Sequence, residues 1–506
     1  MIDAQFMDNT KILSKQGIIS FVGNIVEIIL KYLYCFILAK SLGAKLVGVY
    51  FLGFTILSIV QLIGKLELQE GVLKFVSAFR SAKEELNSQK TMFLALKIVG
   101  ICSILLCIIL LFLAKPLAIG IFKEPLLKNV LIIFMFSVPF FNLTTIVLSY
   151  FQAHLRMKYV ILIRAIFQPL INILIFFLFL ALGDKLQGAA FSYLFSLVLA
   201  LMLTAYILKN KFRLTRIEKN FSSHDYKFVW FCLPILFASI LNFAMQWIDT
   251  LMLGYFRNAS EVGVYGVALR IAALGPIFLA AFATVFAPMI SGLHSDKRIN
   301  ELELLFKFIT KWILTLSLPF LLLLLFFSHD LLTLFGNEFL LGKDALVILI
   351  IGQIINVITG PVYYMLIMSG RSRVALFNSL VFCFIGIILN LTLIPKYGIL
   401  GAAIANAVSV ALSNLIMLVQ VYGFLKIHPY EWKFIKPISA ALVSIYILFV
   451  INKISLKFSV SIPALFISIL FIIFYASFLW KFGFDKNERR IFTLVKDKLL
   501  SLNLIG

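Results

Sequence analysis

Two short stripes of polar residues interrupt long apolar runs. Asn24, Glu27 and Lys31 follow the spacing i, i+3, i+7, and Asn242, Gln246 and Asp249 follow i, i+4, i+7. On a helix of about 3.6 residues per turn, either spacing places three side chains on one face. Two arginines, Arg164 and Arg270, also fall inside apolar runs, with Gln168 one turn beyond Arg164. An ionisable group at the centre of a bilayer costs at least about 2.5–3.5 kcal/mol unless it meets a partner or a wet cavity. These positions therefore suggest chemistry. Guanidinium and ammonium groups bind anions, and the planar guanidinium fork can hold two phosphate oxygens at once. Lys31, Arg164, Arg270, Asn24, Asn242 and Gln246 are the candidate ligand-binding residues. Glu27 and Asp249 are the carboxylates that could take up H+ or Na+. The structural alternatives are an intrahelical Glu27–Lys31 pair, Arg164 reaching the headgroups, and Asp249 as an interfacial carboxylate.

The elements that must hold these residues follow from composition. Of 506 residues, 62% are apolar and 13% charged, against about 45–50% and about 25% in soluble domains. Apolar runs of roughly 20 residues recur along the chain, the length that spans about 30 Å of hydrocarbon. Helix is the expected conformation, because backbone exposed to lipid must bond to itself. The expected fold is an all-α polytopic membrane protein of about fourteen spans. With both termini inside, the inner loops carry roughly three times the Lys and Arg of the outer loops, which orients N and C termini to the cytoplasm. The net charge of +22 then reflects topology, and nucleic acid is not an expected partner. Met1 to Gln16 lacks the charged-then-apolar order of a cleaved signal peptide, so the first helix is expected to remain.

The chain also repeats itself. Val47-Gly48-Val49-Tyr50 recurs as Val262-Gly263-Val264-Tyr265, and Gly188-Ala189-Ala190 recurs as Gly401-Ala402-Ala403 at nearly the same spacing. Two six-span halves related by an axis along the membrane normal are implied, an arrangement that transporters use with binding between the halves. The expected divisions are 1–210, 211–425, two further helices over 426–482, and a basic amphipathic cytoplasmic tail over 483–506. Carried across the repeat, Glu27 falls on Asn242 and Lys31 on Gln246, so the two polar stripes are expected to face one cavity. Lys65 with Glu67 and Glu70 should solvate the inner mouth or form a gate. Gly275-Pro276 and Gly360-Pro361 are hinge candidates, since proline interrupts the helical ladder.

The stretch Ile37-Leu38-Ala39-Lys40-Ser41-Leu42-Gly43, followed by Val47-Gly48-Val49-Tyr50, resembles the first hairpin of the polysaccharide (O-antigen, Wzx-type) flippases of the multidrug/oligosaccharidyl-lipid/polysaccharide exporter (MOP) superfamily. Pro234, Asp249, Gly263, Tyr265 and Arg270 continue the likeness in the second half, while Lys40 stands where an Arg is common. The resemblance implies a MATE-like fold of two lobes rocking between inward-open and outward-open states in the inner membrane. It also implies a polyprenyl-diphosphate-linked oligosaccharide as cargo, with membrane lipids and polysaccharide polymerase or assembly proteins as partners. A cation-coupled drug antiporter and a peptidoglycan-precursor flippase are the alternatives of the same fold. The antiporter would need carboxylates free of competing Lys31 and Arg270. A membrane enzyme would need a long polar loop carrying catalytic residues, and none occurs. No Gly-rich phosphate loop or nucleophile triad is present. The five Cys and five His are scattered without metal-ligand spacing, so neither cofactor, metal nor catalytic residue is expected.

Overall fold

The computed structural model describes residues 2–212, 223–457 and 464–483. Among them there is no strand. In chain order the α-helices are α1 (Ile2–Lys65), α2 (Leu68–Ser81), α3 (Glu85–Lys115), α4 (Pro125–Ala153), α5 (Met157–Ile161), α6 (Gln168–Ala181), α7 (Leu186–Lys211), α8 (Ser223–Phe256) and α9 (Ala259–Ala273). They continue with α10 (Ile277–Ser295), α11 (Ile299–Phe326), α12 (Ser328–Phe335), α13 (Lys343–Thr359), α14 (Val362–Met368), α15 (Ser372–Tyr397), α16 (Ile399–Leu425), α17 (Ile435–Lys457) and α18 (Ala464–Phe478). Large apolar side chains face outward in number, among them Leu105, Ile108 and Phe112 on α3. That is the surface of a protein whose surroundings are lipid.

Among the described residues, eleven helices are long and apolar enough to cross a membrane, or up to twelve if the pair broken before Ile277 counts as one span. The expected fourteen is therefore not confirmed. One source of the difference is α1, which is a hairpin. Gly43 adopts φ 75° and ψ 172° and interrupts it. Tyr34 and Tyr50, sixteen residues apart, share a hydroxyl–hydroxyl hydrogen bond at 3.4 Å, whereas in a straight helix they would be about 24 Å apart. The other source is α18, whose described length is short. The expected amphipathic tail beyond Gly483 lies outside the described residues, as does the basic segment 213–222.

The chain forms two compact units. The first holds residues up to 270 with 332–345 and 379–406. Its centre is the crossing of the two Val-Gly-Val-Tyr segments. A Cβ on Gly48 would collide with the carbonyl oxygen of Ala259 and lie 2.8 Å from the amide nitrogen of Gly263. A Cβ on Gly263 would collide with the carbonyl of Ala44 and lie 3.0 Å from the nitrogen of Gly48. The contact is reciprocal, residue for residue, as a local two-fold requires. Small residues permit this backbone approach between helices in lipid.

The second unit holds 271–331, 346–378 and 407 onward. Ile290, Phe306, Met365 and Val421 pack one core in it, and Phe327, Leu448 and Phe471 another. Asn378 and Gln420 exchange amide hydrogen bonds at 2.6 and 3.0 Å, tying α15 to α16. Both hinge candidates coincide with helix breaks. Pro276 precedes α10, and Pro361 precedes α14 with Gly360 at φ 71° against Thr310.

The crossing makes a direct prediction. Gly48→Leu and Gly263→Leu should each destabilise the detergent-solubilised protein by at least about 1–3 kcal/mol, since overpacking forces backbone apart. Gly423→Ala, with nothing within 4 Å of the added Cβ, should leave the melting temperature unchanged or higher. Equal melting for all three would remove the crossing from its central place.

Candidate functional site

Three arrangements hold the charged residues expected at the site, each with a different remedy for burial. The first is built on α1. Glu27 accepts Lys31 Nζ at 2.6 Å on Oε1, and Arg164 Nε and Nη2 at 3.2 and 3.1 Å on Oε2. Arg164 lies in a π-helical turn, Leu162–Phe167, between α5 and α6. Pro169 has no N–H to donate to the Ala165 carbonyl, so the regular ladder cannot close there. Gly23 lets this segment approach, since a Cβ there would lie 2.5–2.8 Å from the Ile161 side chain. The carboxylate side chain is 11% exposed, while those of Lys31 and Arg164 are 64% and 59% exposed. One carboxylate thus anchors two largely exposed cations, leaving a net charge of +1.

The second arrangement is Arg270 on α9. Its guanidinium carbon lies 3.5 Å from the Phe51 ring centroid and 5.9 Å from that of Trp247. Its Nη1 donates to the Gly266 carbonyl at 2.9 Å. Among the described residues no carboxylate pairs with it. Aromatic faces and a carbonyl stabilise the cation without neutralising it. Tyr32, the residue after Lys31, donates to the Arg270 carbonyl at 2.5 Å, so α1 carries one cationic cluster and touches the other.

The third arrangement surrounds Asp249, which is 2% exposed. Its Oδ1 accepts the Thr250 amide at 2.7 Å and the Thr250 hydroxyl at 3.4 Å. Its Oδ2 accepts the Tyr265 hydroxyl and Asn406 Nδ2, the latter at 3.1 Å. Four donors surround the carboxylate, and among the described residues no cation does. Buried this deeply, the carboxyl group relies on those hydrogen bonds rather than on an opposite charge. Asp249 and Tyr265 are sixteen residues apart across a turn, as are Tyr34 and Tyr50. The two pairs occupy equivalent places in the repeat. The first half holds a neutral phenol pair where the second holds a carboxylate.

The stripe expected on α8 is divided. Asn242 and Gln246 are exposed while Asp249 is buried, because α9 and α16 supply Tyr265 and Asn406 and cover that end of the face. Asn242 spends an amide hydrogen on its own helix, donating to Ala238 O at 2.9 Å. Asn24 is exposed on α1. Tyr265 and Asn406 were not among the expected site residues. The available signal was positional: Tyr265 closes one repeated motif, and Asn406 lies three residues beyond Ala403 in the other. At the end of α1, Lys65 and Glu67 pair at 3.3 Å. Burial and the neighbouring Glu67 push the Glu70 carboxyl above its usual range, with Lys65 opposing.

With this geometry in hand, comparison with known proteins identifies the family. The model described as polysaccharide biosynthesis protein matches residues 13–294. The chain belongs to that family. The MatE model also matches, over residues 234–392. A relative named probable low-salt glycan biosynthesis flippase Agl15, of Haloferax volcanii, is 25% identical over 419 residues, covering 80% of this chain and 82% of that protein. The capsular polysaccharide biosynthesis protein CapF of Staphylococcus aureus is 25% identical over 197 residues, 38% of this chain and 48% of that protein. Among solved structures, the lipid II flippase MurJ in an inward closed conformation superposes with TM-score 0.73 at 16% identity, covering 92% and 97% of the two chains. An inward-facing MATE multidrug transporter of the MOP superfamily gives 0.69 at 16% identity, covering 79% and 94%. This member of the polysaccharide biosynthesis protein family is a multi-pass membrane protein with the MATE-like fold.

The equivalence of the two hydroxyl pairs can be tested. Tyr265→Phe removes a donor from a carboxylate and should cost about 1.5–3 kcal/mol, whereas Tyr50→Phe removes a neutral bond and should cost about 0.5–1.5 kcal/mol. Thermal unfolding in one detergent reads the difference. Equal losses would mean that Asp249 does not depend on Tyr265.

Proposed function

We infer that this chain is a flippase that carries a polyprenyl-diphosphate-linked oligosaccharide across the cytoplasmic membrane for polysaccharide biosynthesis. The observation that carries the reading is Arg270, a guanidinium in an apolar helix with no carboxylate beside it among the described residues, adjoining a cluster that is itself one positive charge in excess. Two cationic centres suit a diphosphate, whose oxygens take forked guanidinium bonds. Lys31, Arg164 and Arg270 receive the phosphates, and Asn24, Asn242 and Gln246 offer amides to sugar hydroxyls. The polyprenyl tail remains in lipid. The names of the relatives support a glycan cargo. A cationic drug would be repelled by the same residues, which disfavours an antiporter of that kind.

Asp249 is the group that responds to an ion. When H+ or Na+ neutralises it, its bonds to Tyr265 and Asn406 change strength, which biases α8 against α9 and α16. Glu27 is held by its two cations and is the second candidate. The two six-helix repeats, 1–210 and 211–425, alternate access, with the helices of 426–482 beside them and both termini cytoplasmic. Polysaccharide polymerase or assembly proteins are the partners that would use the product.

The test is transport of a labelled polyprenyl-diphosphate oligosaccharide in proteoliposomes at matched protein levels. Wild type should move the lipid, and Lys31→Ala and Arg270→Ala should each slow it by about ten- to a hundredfold, the loss of one or more charge-assisted bonds. Asp249→Asn should keep downhill movement but no longer respond to an imposed H+ or Na+ gradient. Normal rates in both cation variants would dismiss the site. Export of a cationic dye with no movement of the glycan lipid would dismiss the function.

A further inference from the structure

The second unit contains a cleft of about 880 Å³ far in sequence from the residues above. It lies between the end of α10, the start of α11 and the linker that leads into α17. Its volume is within the roughly 300–1,000 Å³ typical of ligand sites. Part of the wall is apolar, with Met289, Leu305 and Phe308 on the two helices and Phe434 on the linker.

Charges of both signs stand along these walls. Lys307 and Lys311 are one turn apart on α11, and Lys433 enters from the linker. Lys307 is held by Glu303 at 2.6 Å, and Lys433 stands 4.0 Å from Glu431. Glu301 is occupied by Arg298 through bonds of 2.8 and 2.6 Å. Asp296, at the rim, is exposed. A purely anionic ligand would meet these carboxylates, and a purely cationic one would meet the lysines. A zwitterion fits both sets, and a primary ammonium, unlike a quaternary one, can also donate hydrogen bonds to the carboxylates.

The linker also indicates the depth of the cleft. Glu431 lines a second, adjoining hollow with Tyr430, Trp432, Ile435 and Ile438. Trp432 is 88% exposed and Tyr430 37%. Exposed Trp and Tyr at the end of an apolar helix mark the headgroup level of a membrane. The mixed-charge cleft therefore opens at the depth of lipid headgroups, beside an apolar strip, Ile435 and Ile438, that can accept an acyl chain.

We propose that this cleft binds an aminophospholipid, with its phosphate among Lys307, Lys311 and Lys433, its ammonium at Asp296 and Glu431, and a chain along Ile435 and Ile438. The ligand is a resident of the bilayer, distinct from the transported lipid. Occupancy ties the α10–α11 turn to the linker before α17.

The experiment is native mass spectrometry of the delipidated full chain with three lipids of matched chains: phosphatidylethanolamine, phosphatidylglycerol and phosphatidylcholine. Phosphatidylethanolamine should bind about tenfold more tightly than either of the others. Asp296→Asn should reduce that preference, and Lys307→Gln combined with Lys433→Gln should abolish binding of all three. Unliganded melting temperatures equal to wild type confirm that these variants fold, and Lys433→Gln alone replaces the double variant if it does not. Equal binding of the three lipids, or unchanged binding in the variants, overturns the proposal. So does equal stabilisation by inorganic phosphate, which would make the cleft a phosphate site without a lipid.

Discussion

Charge is costly inside an apolar helix, and the first unit deals with that cost in three ways. Glu27 is shared by two cations. Arg270 rests on aromatic faces and a carbonyl. Asp249 is enclosed by hydroxyl and amide donors. None of these remedies balances the charge fully. Among the described residues, the Glu27 cluster keeps one positive charge, Arg270 keeps its own, and Asp249 has no cation beside it. Under the proposed function, the first two excess charges would face the anionic cargo and the third a coupling ion.

The frame that holds these groups is more symmetric than the chemistry that it carries. Gly48 and Gly263 allow the two repeated segments to cross backbone against backbone. From that crossing, equivalent places in the two halves can be matched residue by residue. Tyr34 and Tyr50 make a neutral pair where Asp249 and Tyr265 make an ionisable one. Duplication supplies two copies of a hairpin with a polar contact across it. The two copies differ at one position, Tyr34 in the first and Asp249 in the second, so only one of them carries an ionisable carboxyl.

Much of this was legible in the sequence because it depends on local periodicity. Apolar run length gave the helices, recurring motifs gave the repeat, and heptad-like spacing placed Glu27 and Lys31 on one face. Contacts across helices were less accessible. Nothing local says that the π turn at Leu162–Phe167 would deliver Arg164 to Glu27, or that α16 would bring Asn406 to Asp249. Spacing alone put Asp249 with Asn242 and Gln246, since angular position on a helix is blind to what covers each turn. The span count turns on a similar detail. The two runs on either side of Gly43 read as two spans, and the structure joins them as the two arms of one interrupted hairpin.

The central claim is that the uncompensated cation at Arg270 receives a diphosphate. Trp247 lies 5.9 Å from that guanidinium, so its fluorescence can report the event. A short-chain prenyl diphosphate and the matching prenyl alcohol would each be titrated into the detergent-solubilised protein and into Arg270→Gln. The account predicts a saturable fluorescence change with the diphosphate, none with the alcohol, and an affinity at least about tenfold weaker in Arg270→Gln. Equal responses to diphosphate and alcohol, or an unaltered affinity in Arg270→Gln, would contradict it.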